Sequence, residues 1–229
     1  MAFSLEQFYK TYETDTIDMV INNRKFSFLL PKHLHRFLNP HDVLHNFPLW
    51  AKIWPASWVL SSYLADMPPE ADKQILEIGG GVGQVSIVAA TFGHQITLSE
   101  YDPDALNFAR ANAHCNSCPD LPIIQLDGFR PRLKTQFNRI VASEVAYKKK
   151  FLDALLQLFK SHLTPGGEVI LVWEIRKGAQ DLFKFFRSDF DITVSKMTLR
   201  SETAAHRILL MKMRFKNESF RTGDPSVAE

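Results

Sequence analysis

The feature that most constrains the fold of this chain is an apolar run, residues 75–78, that leads directly into a glycine-rich bend at 79–83. Glycine readily adopts positive φ values and lets the backbone approach a ligand that a Cβ would repel. Residues 82–92 then show the pattern of a helix. The free N–H groups and the positive dipole end at the start of this helix would face the ligand at the bend. The sequence therefore predicts a strand, a ligand-binding bend and a helix in succession.

Two further positions limit the class of ligand that this bend could bind. The dinucleotide fingerprint Gly-x-Gly-x-x-Gly would need a glycine at position 84, where this chain has Gln84. A short strand at 95–100 ends in a carboxylate, Glu100, about twenty residues after the first glycine, where an acid accepts ribose hydroxyls. The pattern predicts a ribose-bearing ligand and leaves open whether it is a dinucleotide or another nucleoside cofactor.

Composition and charge limit the class of protein. The chain of 229 residues is 45% hydrophobic and 23% charged, which is typical of one globular domain with a full core. We find no apolar run long enough to span a bilayer and no basic and apolar leader, so we expect a cytoplasmic protein that does not bind a membrane. The net charge of +2 argues against broad phosphate neutralisation and makes nucleic acid a weak candidate partner.

Candidate metal ligands occur in two groups, and neither has the spacing of a complete site. Cys115 and Cys118 form a Cys-x-x-Cys pair, but no second pair completes four ligands. Four histidines crowd one segment without a matching cysteine or carboxylate pattern: His33, His35, His41 and His45. We therefore predict a surface turn for the cysteines and no bound metal.

From residue 74 onwards, strand-like runs alternate with helical patterns, which is typical of crossover units around a parallel sheet. The predicted strands are 74–78, 95–100, 122–127, 138–143 and 168–173, and the predicted helices are 82–92, 103–112, 151–159 and 180–190. A turn is predicted at 164–167. Two last strands, 192–197 and 207–215, share a short link and should pair antiparallel. The predicted fold class is α/β, a Rossmann-like seven-stranded sheet of five parallel strands closed by this pair, with helices on both faces.

The N-terminal part has a different pattern. Residues 17–21 and 25–30 alternate in polarity around Asn22-Asn23, a dipeptide that tolerates the positive φ of a tight hairpin turn. We predict a small accessory hairpin, then a helical lead-in over 33–46 and a helix over 57–65. The segment before this helix places Trp50 and Trp54 near prolines.

These motifs resemble those of the class I S-adenosylmethionine-dependent methyltransferases, and within them the seven-β-strand protein-lysine methyltransferases. The family's glycine motif is similar to residues 77–83, and its ribose acid to Glu100. Its adenine-binding segment resembles Leu126-Asp127-Gly128-Phe129, and its Trp-Pro element resembles Trp54-Pro55. An acid-x-x-Tyr after the fourth strand marks the lysine branch and resembles 144–147, with Glu in place of the usual Asp.

The resemblance implies an S-adenosylmethionine-dependent N-methyltransferase that modifies a lysine of a protein substrate. The pattern along the chain divides it into an accessory segment at 1–50, a methyltransferase domain at 51–215 and a polar tail at 216–229; the sequence does not reveal the oligomeric state, and we favour a monomer. The implied cofactor-binding residues are Trp54, Glu77, Gly79, Gly81, Gly83, Glu100, Asp127 and Ser143, and the implied catalytic residues are Glu144 and Tyr147. A small-molecule or nucleic-acid methyltransferase on the same fold, or a non-catalytic S-adenosylmethionine-binding protein, stays open as an alternative.

Overall fold

The computed structural model describes residues 3–38, 47–131, 133–145, 149–175, 179–200 and 205–216. It begins with a short helix, α1 (Leu5–Thr11), which the sequence does not predict. Strands β1 (Thr14–Ile21) and β2 (Arg24–Pro31) form an antiparallel hairpin. Its turn residues, Asn22 and Asn23, have φ values of 47° and 64°, so the predicted accessory hairpin is present.

The predicted helical lead-in at 33–46 is wrong in its described part. One 3₁₀ turn, His35–Phe37, follows the hairpin, and the next residue, Leu38, has an extended backbone that ends the turn (φ −85°, ψ 133°). Residues 39–46, with His41 and His45, lie outside the described residues. A second 3₁₀ turn, Leu49–Ala51, precedes helix α2 (Pro55–Asp66).

The main sheet has seven strands, and its topology agrees with the predicted fold class. The strands are β3 (Gln74–Ile78), β4 (Gln95–Glu100), β5 (Ile123–Gln125), β6 (Phe137–Ser143), β7 (Leu163–Glu174), β8 (Phe190–Arg200) and β9 (Ala205–Phe215). They lie in the order β5-β4-β3-β6-β7-β9-β8. Strands β3 to β7 are parallel, and β9 pairs antiparallel with both β7 and β8. The α/β fold with a C-terminal antiparallel pair is therefore confirmed.

Helices cover both faces of this sheet. After α2 come α3 (Gln84–Thr91), α4 (Pro103–Cys115), α5 (Lys149–His162) and α6 (Ala179–Phe186). Successive strand residues point to opposite faces. Ile75 accordingly packs in a core with residues of α2 and α3, and Leu76 packs in a second core with residues of α5 and α6. The hairpin adds Met19 to the first core.

Several predicted boundaries shift for physical reasons. Helix α3 begins at Gln84 and not at residue 82, because Gly83 has a left-handed backbone (φ 94°). The turn predicted at 164–167 is a bulge within β7, since Phe137 faces Leu163 whereas Arg139 already faces Glu168. Residues 201–204 of the predicted link, and the predicted polar tail after residue 216, lie outside the described residues.

A buried amide on α4 joins the hairpin to the glycine bend. Asn112 is fully buried, and its Oδ1 accepts a hydrogen bond from Leu29 N (2.7 Å). Its Nδ2 donates to Leu29 O (3.1 Å) and to Val82 O (2.9 Å). One turn later, Asn116 bonds in the same way to both backbone groups of Ser27, at a more exposed position. These two side chains thus form hydrogen bonds with the free backbone groups at the edge of β2, where a third strand would otherwise pair.

We expect the Asn112→Ala variant to lower the free energy of unfolding by about 3 kcal/mol, because three buried backbone groups lose their partner. The matched Asn116→Ala variant should lower it by less than about 1 kcal/mol, because water can replace the lost bonds at this exposed edge. Urea denaturation followed by circular dichroism measures both values. Equal losses for the two variants would contradict this account of the hairpin edge.

Candidate functional site

A cavity of about 570 Å³ lies at the carboxyl ends of β3, β4 and β6. This edge is where open α/β sheets bind their ligands. Eight of the predicted site residues line it: Trp54, Glu77, Gly79, Gly81, Glu100, Asp127, Ser143 and Glu144. Phe129 of the predicted adenine-binding segment also lines it, and further lining residues that the sequence did not single out for binding include Ser57, Gln84, Tyr101 and Phe151. The structure therefore brings together most of the predicted set at a single site.

The glycine bend forms one wall, and its conformation requires glycine at two positions. Gly79 and Gly81 have φ values of 66° and 54°. A Cβ on Gly79 would lie 2.8 Å from Val145 Cγ1, and one on Gly81 would lie 3.3 Å from Trp50 O. Both positions are therefore strained and crowded for any other residue, and both glycines line the cavity.

Gly83 has a different environment from the other two glycines. It is not among the residues that line the cavity. A Cβ at this position would lie 3.0 Å from Ile87 Cδ1 and 3.4 Å from Ala109 Cα. Gly83 therefore lets α3 begin directly after the bend and pack closely against α4, and its predicted contact with a cofactor stays a prediction.

Glu100 links the glycine bend to the start of α4. Its Oε2 accepts a hydrogen bond from Gly81 N (2.9 Å), and its Oε1 accepts from Tyr101 N (2.6 Å) and Asp102 N (3.1 Å). A carboxylate has about four acceptor sites, so these three bonds leave one site for a ribose hydroxyl. The side chain thus shapes the bend and also faces the cavity.

Aromatic rings form the outer part of the cavity. Trp54 donates its Nε1 hydrogen to Leu49 O (2.8 Å), and Lys52 Nζ lies 4.9 Å from the centre of its ring. Phe129 and Phe151 also line the cavity, and their rings are 4.8 Å apart. The Oδ1 of Asp127 accepts a hydrogen bond from Phe129 N (2.9 Å). This bond fixes the turn that places Asp127 and Phe129 at the cavity.

Glu144 places a buried carboxylate in the cavity wall. The residue follows β6, is 8% exposed and has an unusual left-handed backbone, with φ at 54°. Its Oε1 accepts a hydrogen bond from Glu174 N (2.7 Å), and its own N–H donates to Val172 O (3.1 Å). A strained backbone of this kind persists where surrounding structure fixes it, and it is common at functional sites. The other predicted catalytic residue, Tyr147, lies outside the described residues.

The described residues contain no group of three or more His, Cys, Asp or Glu side chains that could hold a metal ion. Cys115 and Cys118 are both free, and Cys115 is exposed at the end of α4. Burial raises the pKa of the Cys118 thiol to about 11, which disfavours the reactive thiolate. Within the described ranges, no helix combines the length and the apolar character that crossing a membrane requires.

Comparison with known proteins identifies the family. Residues 49–205 match the methyltransferase small domain family. The chain belongs to this methyltransferase family. Mouse protein-lysine methyltransferase METTL21E is 32% identical to it, across 62% of this chain and 64% of the mouse protein. Histone-arginine methyltransferase METTL23 of Xenopus laevis is also 32% identical, across 54% of this chain and 57% of the frog protein.

The match therefore spans less than two thirds of the length of either relative. Among solved structures, Pyrococcus horikoshii TYW2 in complex with MeSAdo superposes with a TM-score of 0.58. The two are 16% identical, and the match covers 88% of this chain and 72% of that one. This likeness shows a shared fold. The predicted resemblance to the class I methyltransferases is confirmed, and the family supports S-adenosylmethionine as the cofactor.

The cavity fits such a cofactor in size and in polar groups. A volume of about 570 Å³ is within the usual range for small-molecule sites. The bare backbone at Gly79 and Gly81 would cradle the amino-acid end, Glu100 would accept a ribose hydroxyl, and Asp127 would bind the adenine amino group. We expect Trp54 and Ser143 to border the bound molecule, because both line the same space.

Glu77 supports the glycine bend at its buried side. It is 1% exposed, and its Oε2 accepts hydrogen bonds from the backbone N (3.1 Å) and from the hydroxyl of Ser86, in the first turn of α3. Burial raises the pKa of this carboxyl to about 7; the bonds from Ser86 oppose the rise, and the charge of Glu100 adds to it. The side chain thus joins the strand to the helix across the bend.

This raised pKa predicts a pH-dependent stability. In the unfolded chain this carboxyl has its ordinary pKa of 4.5. The raised pKa in the fold therefore adds to the free energy of unfolding below pH 4.5, and this contribution is lost as the pH rises through about 7. Relative to the Glu77→Gln variant, the wild-type free energy of unfolding should fall by about 2 kcal/mol between about pH 5.5 and pH 8. Urea denaturation at both pH values measures this; a constant difference would contradict it.

Two of the polar lining residues that sequence reasoning missed, Gln84 and Ser57, each left a signal in the sequence. Gln84 is a polar residue at the start of an otherwise apolar helical run, at the position where a dinucleotide fingerprint has glycine. Ser57 stands three residues after Trp54, and its hydroxyl accepts from Trp54 N (3.2 Å), as in a helix capping box. Both signals are local and describe a helix start, so neither indicates that the two side chains meet.

Proposed function

We propose that this protein is an S-adenosylmethionine-dependent methyltransferase that N-methylates a lysine side chain of a protein. The observation that carries this proposal is the buried carboxylate of Glu144 in the cavity wall, beside the glycine bend. A carboxylate in a largely apolar cavity attracts a cationic acceptor such as an ammonium group. The names of relatives such as protein-lysine methyltransferase METTL21E support the same acceptor.

The residues of the chain would act by orienting the acceptor and by excluding water. When bound, S-adenosylmethionine supplies a methyl group on a sulfonium, ready for in-line displacement. Lysine has a pKa of about 10.4 in water, so its amine must lose a proton, and desolvation in the cavity favours that loss. Glu144 would aim the nitrogen, the proton would leave to water, and the Phe129 and Phe151 rings would keep the reacting groups dry.

An assay with tritiated S-adenosylmethionine tests this proposal. The purified protein is incubated with cell lysate, and the products are treated in parallel with protease or nuclease. We expect the label in protease-sensitive material and, after acid hydrolysis, in methylated lysine. Label in methylated arginine would favour the acceptor named in METTL23, and label in nucleic acid or small molecules would contradict a protein acceptor.

Calorimetry with S-adenosylmethionine and with a nicotinamide dinucleotide tests the cofactor separately. We expect binding of the first alone; binding without any transfer would favour a non-catalytic protein. The cytoplasmic location, the monomeric state and the boundaries of the three predicted segments stay predictions.

A further inference from the structure

Gln84 is a buried amide in the wall of the cofactor cavity. It is the first residue of α3, directly after the glycine bend, and it is 2% exposed although it lines the cavity. Burying an amide is costly unless its polar atoms find hydrogen-bond partners. The partners of this side chain therefore show what holds it in place.

The amide connects two elements that are far apart in the sequence. Its Oε1 accepts a hydrogen bond from the Ser57 hydroxyl (2.7 Å), in the first turn of α2. Its Nε2 lies 3.6 Å from Met19 Sδ on the hairpin, and a thioether is a weak acceptor. The bond to Ser57 is thus the stronger of these two contacts.

Ser57 passes this connection to the backbone of Trp54. Its oxygen accepts from Trp54 N (3.2 Å) and lies 2.7 Å from Trp54 O, but a hydroxyl has one proton to donate. Trp54 O already accepts a hydrogen bond from Trp58 N (3.2 Å). Gln84 Oε1 is therefore the acceptor that most needs the Ser57 proton.

The hydrogen bonds from Gln84 through Ser57 end at Trp54, which lines the cavity. Trp54 lines the same cavity as Gly79 and Gly81 of the glycine bend, and Trp50 O lies close to Gly81. We propose that Gln84 is a positioning residue for cofactor binding, which holds the Trp54 wall at a fixed distance from the glycine bend through Ser57. This inference rests on the proposed function, because it assumes that S-adenosylmethionine binds between these two walls.

Binding of S-adenosylmethionine by calorimetry tests the inference. The Gln84→Leu and Ser57→Ala variants should each raise the Kd about tenfold, equivalent to about 1.4 kcal/mol. The double variant should bind no more weakly than either single variant, because both changes break the same connection. Ser57→Thr, which keeps the hydroxyl, should bind like the wild type, and melting temperatures check that all variants are folded.

Ser61→Ala is the matched control on the same helix. Ser61 is also buried and donates to the backbone of Ser57 (2.8 Å), but it does not line the cavity. It should leave the Kd unchanged. Wild-type affinity in folded Gln84→Leu and Ser57→Ala, or additive losses in the double variant, would overturn the positioning role. Failure of the wild-type protein itself to bind S-adenosylmethionine would instead overturn the proposed function.

Discussion

The Glu144→Gln variant is expected to bind S-adenosylmethionine like the wild-type protein and to transfer methyl groups at least about 100-fold more slowly. The charge that would aim the acceptor nitrogen is lost, and misplacement of a reacting group by about 1 Å can cost about 100-fold in rate. Glutamine keeps an oxygen that can accept the hydrogen bond from Glu174 N, so the fold should survive. Alanine would abolish transfer too, but it would also leave that N–H without its acceptor.

Calorimetry gives the affinity, and initial rates with tritiated S-adenosylmethionine and lysate protein give the transfer. Glu168→Gln is a suitable control, because Glu168 is also largely buried but pairs with Arg139 near the amino end of β6 and with Arg214 near the carboxyl end of β9. Its rate of transfer should stay near that of the wild type. A Glu144→Gln variant that loses affinity and rate together would show that Glu144 has a structural role.

The Glu100→Gln variant should weaken S-adenosylmethionine binding about 100-fold, or about 2.7 kcal/mol. Both oxygens of Glu100 accept hydrogen bonds from backbone N–H groups. An amide replaces one oxygen with an NH₂ group. Whichever way the amide is turned, this NH₂ donor faces a backbone N–H donor, and the repulsion disturbs the glycine bend. It also removes the charge that strengthens a bond from a ribose hydroxyl.

Asp102→Asn is the control for this second change. Asp102 is the neighbouring acid, and its Oδ1 caps α4 by accepting from Asp104 N and Ala105 N. Asparagine is an equally good N-cap, so the Kd should stay within about twofold of the wild type. If Glu100→Gln also binds at wild-type strength, then the ribose does not depend on this carboxylate.

Local pattern was sufficient to predict most of the sheet. The alternation of apolar runs and helical segments after residue 74 specifies each element, since the period of the pattern depends on neighbouring residues only. Helix α1 has seven residues and is too short to be stable alone. Its formation depends on Phe8, whose ring lies 5.0 Å from that of Phe108. The two residues are far apart in the sequence, so the residues around Phe8 give no sign of this contact.

The site was predictable where a residue's position along a strand sets its place in the fold. Glu100 and Ser143 end parallel strands, and parallel strands bring their carboxyl ends to one edge. The environments of Gly83 and Gln84 depend instead on how the helices pack. The spacing of residues in the sequence does not predict this packing. The bond between Gln84 and Ser57 joins residues 27 positions apart, so neither helix pattern alone could indicate it.

The position of β9 has a consequence for synthesis of the protein. Strand β7 is buried in the sheet only when β9 lies beside it, and β9 follows both β7 and β8 along the chain. While the nascent chain still lacks residues 205–215, β7 has an open edge with unpaired N–H and C=O groups, and β8 has no neighbour to join. A ribosome that stalls in this interval would therefore hold a chain prone to aggregation, and closure of the sheet must wait until residues 205–215 have been translated.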